Sequence, residues 1–216
     1  MDHADHPQYT RAHVQKIEIV SQTIAFFDFD GTITTKDTLL EFIKYSKGRF
    51  KFMLGFLLNS PWLIAFRLKL ISNQAAKERI LTWFFRNTPL PDFQQNCDQF
   101  AADVIPRLLR PKALQEIETL RKKGATIVVV SASPENWIRP WAGSLEIKLI
   151  ATRLQVKENT LTGKIIGKNC HGSEKVNRIH EGHQLADYSI VYAYGDSSGD
   201  KPMLQLAHTA FYKPFR

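Results

Sequence analysis

Four short apolar runs along the chain predict buried β-strands. The first is Ile24–Phe29, the second 126–131 (TIVVVS), the third Ser189–Tyr194 and the fourth Thr209–Tyr212. Each run is mostly apolar rather than alternating, which is typical of strands covered on both faces, as in parallel sheets. A further segment, 149–166, reads as a strand running into a hairpin with its turn at Glu158-Asn159.

Between the first two strands the pattern changes to helical. Apolar residues recur at spacings of three and four from Thr38 to about Ile105, and two further amphipathic segments cover 111–123 and 173–184. Strands that alternate with helices indicate a parallel sheet with helices on both faces. We therefore predict an α/β fold, a doubly wound Rossmann-like sheet formed by 16–37 and 106–216, with an α-helical cap domain inserted at 38–105.

The segment 50–71 (FKFMLGFLLNSPWLIAFRLKLI) is unusually apolar for a cap. Asn59-Ser60-Pro61 interrupts it, and Pro61 favours a break or a helix start. We favour two short cap helices. The alternatives are a helical hairpin that lies on a membrane surface and, less favoured, a segment that spans the bilayer.

Composition and charge restrict the possible functions only slightly. The chain has 216 residues, 44% of them apolar, and a formal charge of +8, which favours anionic partners such as phosphorylated metabolites, nucleic acid or an anionic membrane. Residues 1–15 are predicted to be a polar tail without a secretory signal, whose three histidines (His3, His6 and His13) are solvated rather than metal-bound. Cys97 and Cys170 are far apart, so we expect no disulfide and a cytoplasmic location.

Polar side chains follow three of the predicted strands at the point where each strand ends. Asp28 and Asp30 close the first strand, Ser131 and Ser133 the second, and Asp196 and Asp200 follow the third. Ligands of open α/β sheets bind at the carboxyl ends of the strands, so we expect these groups to converge. Taken singly, each pair also fits an ordinary turn or helix cap.

These residue types suit phosphate chemistry. Carboxylates at Asp28 and Asp196 are ligands that Mg²⁺ prefers, and a carboxylate can also attack phosphorus. A second carboxylate, Asp30, can serve as general acid and base. Gly31 allows the backbone to approach a phosphate closely, the Ser131 hydroxyl can donate a hydrogen bond, and Lys175 adds a positive charge near a helix start.

The motifs that carry these residues resemble those of the haloacid dehalogenase superfamily. FDFDGT is similar to its first motif, VVVSAS to the second, GSEK to the third and GDSSGDKPM to the fourth, across about 28–37 and 126–212. The branch it most resembles includes phosphoserine phosphatase, in which a helical cap follows the first motif directly.

The resemblance implies a role for each matching residue. Asp28 would be the nucleophile and a Mg²⁺ ligand, Asp30 the general acid and base with its carbonyl on the metal, and Asp196 the third metal ligand. Asp200 would support the metal or orient Lys175. The implied phosphate-binding set is Gly31, Thr32, Ser131, Ala132 and Lys175. Because Asp30 is present, dehalogenation is not expected.

The likeness to phosphoserine phosphatases weakens where they read their substrate. GDSSGD stands in place of GDGxND, SAS in place of SGG, and Asp37 in place of a glutamate. Candidate substrate contacts are therefore Asp37 and the cap arginines Arg67, Arg79 and Arg86. The same branch includes bacterial phosphatidylglycerophosphate phosphatases with an apolar segment after the first motif.

We favour a Mg²⁺-dependent phosphomonoesterase that acts through an aspartyl-phosphate on a small phosphorylated metabolite. The first alternative is a lipid-phosphate phosphatase at an anionic membrane surface, peripheral to the membrane. The second is a regulatory or nucleic-acid-binding protein on the same fold, which the intact catalytic set argues against. The sequence leaves the oligomeric state open.

Overall fold

A computed structural model describes residues 22–216, so the predicted polar tail and its histidines lie outside the described part of the chain. The strands are β1 (Thr23–Phe27), β2 (Thr126–Pro134), β3 (Lys148–Thr152), β4 (Leu154–Lys157), β5 (Thr160–Ile165), β6 (Ile190–Gly195) and β7 (Thr209–Tyr212). Five of them form a parallel sheet in the order β3-β2-β1-β6-β7. The predicted parallel α/β sheet is confirmed.

The helices are α1 (Thr38–Leu58), α2 (Ser60–Arg67), α3 (Asn73–Phe85), α4 (Leu90–Asp103), α5 (Ile105–Leu108), α6 (Pro111–Lys122), α7 (Glu135–Ser144), α8 (Ser173–Gly182) and α9 (Lys201–Leu204). The first six lie between β1 and β2, and α1 to α4 of these lie within 38–105, where the sequence predicts a helical insertion.

Helices cover both faces of the sheet because alternate strand residues point to opposite sides. On one side, Ala25 and Phe27 of β1 pack with Ile117 of α6 and with the buried residues of the inserted helices. On the other, Ile24 and Phe26 pack with Ile179 of α8 and Met203 of α9. The doubly wound arrangement follows from this alternation.

The inserted helices share one core with the sheet. Phe42 of α1 stacks on Trp137 of α7, with ring centroids 4.7 Å apart, and both side chains are fully buried. Helix α4 is joined to α7 by a reciprocal pair in which Gln94 Nε2 donates to the Asn136 carbonyl and Asn136 Nδ2 donates to Gln94 Oε1, each at 3.1 Å. The insertion is therefore packed firmly against α7.

The break predicted at Asn59-Ser60-Pro61 is confirmed, since α1 ends at Leu58 and α2 begins at Ser60. Asn59 is fully buried, and its Nδ2 donates to the Gly55 carbonyl at 2.8 Å. Helix α1 also kinks at Gly48, where φ is +81°. In residues 22–216, no helix is both long and apolar enough to cross a membrane.

The hairpin β4–β5 turns at Glu158-Asn159, as predicted, with both residues at positive φ. It packs on α3 of the insertion, where Thr82 Oγ1 donates to the Gly163 carbonyl at 3.3 Å. A Cβ on Gly163 would stand 2.3 Å from the Thr82 Cα. Glycine is therefore required where the hairpin meets the helix.

Candidate active site

The chain turns sharply just after β1 and places two carboxylates at the edge of the sheet. The predicted first strand ends two residues early, at Phe27, although Asp28 N still donates to the Tyr194 carbonyl of β6 at 2.9 Å. The turn needs glycine at position 31, where φ is +82° and a Cβ would lie 2.4 Å from the Asp196 carboxylate. The first and third strand ends therefore meet through Gly31.

A buried lysine joins three strand ends at the centre of the site. Lys175, near the start of α8, is 1% exposed. Its Nζ donates to Asp28 Oδ1 at 2.6 Å, to Asp200 Oδ1 at 2.8 Å and to the Val130 carbonyl of β2 at 2.7 Å. All three ammonium hydrogens are thereby used. The predicted convergence of Asp28, Lys175 and Asp200 is present in the structure.

Burial and charge set the protonation of this group. Burial raises the pKa of Asp28 to about 7, against the lowering effect of Lys175. Burial alone would lower the pKa of Lys175, but Asp28 and Asp200 outweigh it and raise that pKa. Burial likewise opposes ionisation of Asp200, yet the contact with Lys175 lowers its pKa overall. The two neighbouring carboxyl groups therefore favour the charged form of Lys175.

Three carboxylates lie close enough to share a cation: one oxygen each of Asp28, Asp196 and Asp200 falls within 4.8 Å of the others. Asp200 is already committed to the protein, because its Oδ2 also accepts from Ser197 Oγ at 2.7 Å and Ser197 N at 2.9 Å. Asp196 is less enclosed, and it pairs with the guanidinium of Arg216. Burial, and after it the negative charge of Asp200, raise the pKa of Asp196, as expected for a carboxyl group close to another carboxylate.

The Asp30 carboxylate points away from this cluster, toward the start of α1. Its Oδ1 accepts from Thr38 N at 2.7 Å and from Thr38 Oγ1 at 2.6 Å. The Thr38 hydroxyl in turn accepts from Trp137 Nε1 at 3.1 Å, so α1 and α7 jointly fix the orientation of Asp30. Sequence reasoning missed Thr38, although a threonine that opens the helix after the first motif was a visible signal.

The two serines of β2 take different positions. Ser131 is fully buried; its Oγ donates to Asp30 Oδ2 at 3.4 Å and accepts from Ser133 N at 3.0 Å. The cavity wall is formed instead by Ala132 and Ser133. Thr32 is also buried, and its hydroxyl donates to Asp28 Oδ2 at 3.0 Å.

A cavity of about 450 Å³ opens in front of these groups. Its wall carries both Asp28 and Asp30 together with basic side chains from separate parts of the chain. These are Lys36, Lys77, His171, Lys175 and Arg216. Lys77 reaches the cavity from α3, where its Nζ donates to the Ala132 carbonyl at 2.9 Å and to Asn169 Oδ1 at 3.1 Å. No local pattern marks Lys77, which only the packing of α3 brings to the site.

The proposed substrate contacts of the cap lie in different places. Asp37 lines the cavity and caps α1, accepting from Leu40 N at 3.1 Å. The structure does not bring the three arginines to this cavity. Arg79 Nε donates to Asn59 Oδ1 at 2.9 Å, and its guanidinium lies over Trp62, whereas Arg86 lines a hollow beside the β4–β5 hairpin. Arg67 is exposed in the last turn of α2.

Comparison with known proteins gives a family match. The model for haloacid dehalogenase-like hydrolases matches residues 25–205. Protein CicA of Caulobacter vibrioides is 35% identical over 192 residues, which cover 88% of this chain and 85% of that protein. A probable phosphatase of Mycobacterium tuberculosis is 28% identical over 203 residues, covering 91% of this chain and 70% of that protein.

Two solved structures extend the likeness to the fold. A protein of unknown function from Bordetella pertussis superposes with a TM-score of 0.76 at 22% identity, covering 88% of this chain and 89% of that one. A phosphoserine phosphatase solved as an analogue of its phospho-aspartyl intermediate superposes with a TM-score of 0.64 at 16% identity, covering 88% of this chain and 85% of that one.

Proposed function

The chain belongs to the haloacid dehalogenase-like hydrolase family and is a phosphatase, and we propose that it hydrolyses phosphomonoesters with bound Mg²⁺ through an aspartyl-phosphate. One observation carries the proposal: Asp28 is buried, it lines the cavity, and both its oxygens are held, one by Lys175 and one by Thr32. A carboxylate fixed in this way is oriented for attack on phosphorus.

The residues present fit a magnesium ion. The Asp28 and Asp196 carboxylates, with the Asp30 backbone carbonyl, would hold it, because hard oxygen donors suit Mg²⁺. When bound, the ion neutralises the substrate phosphate, which the aspartates would otherwise repel. Asp200 is then a supporting residue that holds Lys175 and the 196–197 backbone.

In the first step, an Asp28 oxygen forms a bond to phosphorus while the bond from phosphorus to the substrate oxygen breaks. Asp30 donates its proton to that leaving oxygen, held in place by Thr38. Gly31, Ala132 and Lys175 line the cavity and would bind the phosphoryl oxygens, and Lys175 would also compensate the developing charge. Ser131 and Thr32 are buried behind the wall, where Ser131 holds Asp30 and Thr32 holds Asp28.

In the second step, Asp30 takes a proton from a water molecule whose oxygen attacks the same phosphorus. The bond between phosphorus and Asp28 breaks, inorganic phosphate leaves and the carboxylate is restored. Asp30 thus ends in its starting protonation state, and no further reactant is needed.

We propose a small phosphorylated compound with a second anionic group as the substrate. Lys36, Lys77 and His171 line the cavity together with the aspartates, and they would give that group cationic and hydrogen-bonding partners. A lipid-phosphate substrate is the second candidate, favoured by exposed apolar side chains on α1 and α2. We place the reaction in the cytoplasm, because Cys97 and Cys170 are both free and buried.

The test is hydrolysis of an aryl phosphate by the wild-type protein and by Asp28→Asn, each with and without Mg²⁺. We expect turnover only when both the metal and Asp28 are present. Asp30→Asn should slow release of the leaving group and of phosphate. Full Mg²⁺-dependent activity in Asp28→Asn would rule out this nucleophile. If the aryl probe is not turned over, beryllium fluoride capture by the wild type but not by Asp28→Asn supports the same assignment.

A further inference from the structure

An apolar surface lies outside the active site on helices α1 and α2 and on the residues that directly follow α2. Ten of the sixteen large apolar side chains that are exposed in residues 22–216 fall between Phe50 and Leu70. The most exposed are Phe50, Met53, Leu57, Ile64, Leu68 and Leu70, and Phe50 is 80% exposed. We call this surface the outer face. A concentration of this size marks an interaction site rather than scattered surface residues.

The same helices also have an apolar inner face, which is already occupied. Phe52, Phe56 and Leu63 pack against the core that the insertion shares with the sheet. These two helices are therefore apolar on both sides, whereas a surface helix normally turns a polar side to water. The outer face is exposed to solvent in the described residues, so it calls for a second apolar environment.

Charge around the outer face identifies that environment. Residues 42–77 contain seven Lys or Arg and no Asp or Glu, so this segment carries +7 of the formal charge of +8. Arg49, Lys51, Arg67 and Lys69 are all exposed there. Apolar side chains flanked by cations match the acyl chains and phosphate headgroups of an anionic bilayer.

Contacts with α3 support the corner of the outer face. The corner between α1 and α2 rests on Asn59, which Arg79 of α3 binds at 2.9 Å, and the Arg79 guanidinium covers Trp62. Trp62 remains half exposed at this corner, where its apolar ring and polar N–H suit the boundary between headgroups and acyl chains. Arg79 thus serves as an anchor for the surface.

A hollow lies beside the outer face, and Met53 of that face lines it together with Phe52, Arg49, Lys44, Glu41 and Lys36. Glu41 pairs with Lys36 and Lys44, but three basic side chains against one carboxylate leave the hollow with a positive balance that suits a phosphate headgroup. Lys36 also lines the catalytic cavity.

From these observations we propose that the outer face of α1 and α2 docks on an anionic lipid bilayer, with its apolar side chains among the acyl chains and its cations at the headgroups. The binding does not depend on turnover, so it stands or falls separately from the phosphatase activity.

The test is flotation of the full chain with vesicles of phosphatidylcholine alone or with about one-third phosphatidylglycerol. We expect binding to the anionic vesicles, and at least a tenfold loss in the variant Phe50→Ser/Met53→Ser/Leu57→Ser. Its control, Val156→Ser/Ile166→Ser, removes exposed apolar groups elsewhere. Asp28→Asn should bind as the wild type does.

A second variant tests whether vesicle binding depends on where the positive charges lie or only on the net charge of the protein. Arg49→Gln/Lys51→Gln/Arg67→Gln/Lys69→Gln should lose at least tenfold in binding, whereas Lys112→Gln/Lys123→Gln/Lys148→Gln/Lys157→Gln, with the same change in net charge at other exposed sites, should lose much less. Both circular dichroism and unfolding curves check that each variant folds.

Four outcomes overturn the proposal. The first is equal binding to neutral and anionic vesicles, and the second is equal binding by the outer-face variants and their controls. The third is a wild-type protein that is dimeric by light scattering and a Ser variant that is monomeric, with no vesicle binding by either protein. That result would assign the surface to a second copy of the chain. The fourth is binding of single-stranded RNA, lost in the first Gln variant, without vesicle binding.

Discussion

At the scale of single residues, the site depends on side chains that hold other side chains. Lys175 orients Asp28 and Asp200, and Thr38 orients Asp30. In both cases the holding group is buried and arrives from a different segment of the chain from the carboxylate it binds. The chemistry proposed for Asp28 and Asp30 therefore depends on residues that never bond to phosphorus.

Thr38→Val tests this dependence for the proton-transfer group. Valine keeps the shape but removes the hydroxyl that donates to Asp30 at 2.6 Å. A hydrogen bond to a charged group contributes about 1.5–3 kcal/mol, so we expect kcat to fall by roughly 10- to 100-fold with KM little changed. Thr38→Ser should restore most of the rate. Steady-state kinetics of the three proteins measure kcat and KM. A Ser variant with a kcat as low as that of the Val variant would contradict the role of the hydroxyl.

Lys77→Met tests which cation of the insertion reads the substrate. Lys77 lines the cavity, whereas Arg86 lies beside the hairpin. For a phosphomonoester that carries a second anionic group, we expect Lys77→Met to raise KM about tenfold, as loss of one charge-assisted hydrogen bond would. Arg86→Met is the matched control and should leave KM unchanged. The reverse pattern would restore the arginine as the substrate contact.

At the scale of elements, the hydrophobic pattern predicted the strands and turns whose formation depends on local sequence. The strands β1, β2, β6 and β7, the break before α2 and the hairpin turn at Glu158-Asn159 all appear near their predicted positions. Helix α7 was not predicted, because Pro134 and Pro140 in 134-PENWIRPWAGS-144 are typical of loops. In the structure Pro134 ends β2 directly before the helix, and Pro140 lies inside the helix. Packing of Trp137 and Trp141 into the core outweighs that local signal.

The candidate site was predictable to the same extent. Residues that follow strands, such as Asp28, Asp196 and Asp200, were accessible to pattern reasoning because parallel strands end at one edge of a sheet. Lys77 was not, because its place depends on how α3 packs on the sheet, which no spacing in the sequence records. The three cap arginines were chosen as candidates only because they are positively charged. Charge alone does not tell toward which cavity a side chain points.

Gly163→Ala tests the contact between the hairpin and α3. Gly163 and Gly167 both have positive φ, at +77° and +68°, but only Gly163 has backbone atoms where a Cβ would go. Alanine should cost about 1–2 kcal/mol at either position for its backbone conformation. Overpacking against Thr82 should add about 1–3 kcal/mol at Gly163 alone. Urea unfolding of both variants measures the difference, and equal losses would contradict the close approach.

At the scale of the whole molecule, charge is unevenly distributed. Residues 42–77 carry +7, whereas the catalytic edge gathers Asp28, Asp196 and Asp200 within 4.8 Å. Crowded carboxylates repel one another, so a cation bound among them should stabilise the native state as a whole. This effect is measurable without any substrate.

We therefore expect MgCl₂ to raise the unfolding temperature of the wild-type chain. At 100 times the dissociation constant the gain is about 2.7 kcal/mol, which corresponds to roughly 5–10 °C for a chain of this size. Asp196→Asn should lose most of the shift, whereas Asp92→Asn, at an exposed site on α4, should keep it. Differential scanning calorimetry at constant ionic strength decides, and an equal shift in both variants would exclude the proposed metal site.

The reciprocal bonds between Gln94 and Asn136 have an evolutionary consequence. Asn136 Nδ2 donates to Gln94 Oε1, so replacing either side chain removes this hydrogen-bond partner from the other, whereas the bond to the Asn136 backbone carbonyl depends on Gln94 alone. Changes at the two positions should therefore be inherited as pairs, although 42 residues separate them along the chain. Lineages that acquire a new insertion between β1 and β2 should show matching changes in α7, a pattern of covariation that an alignment of many relatives would reveal.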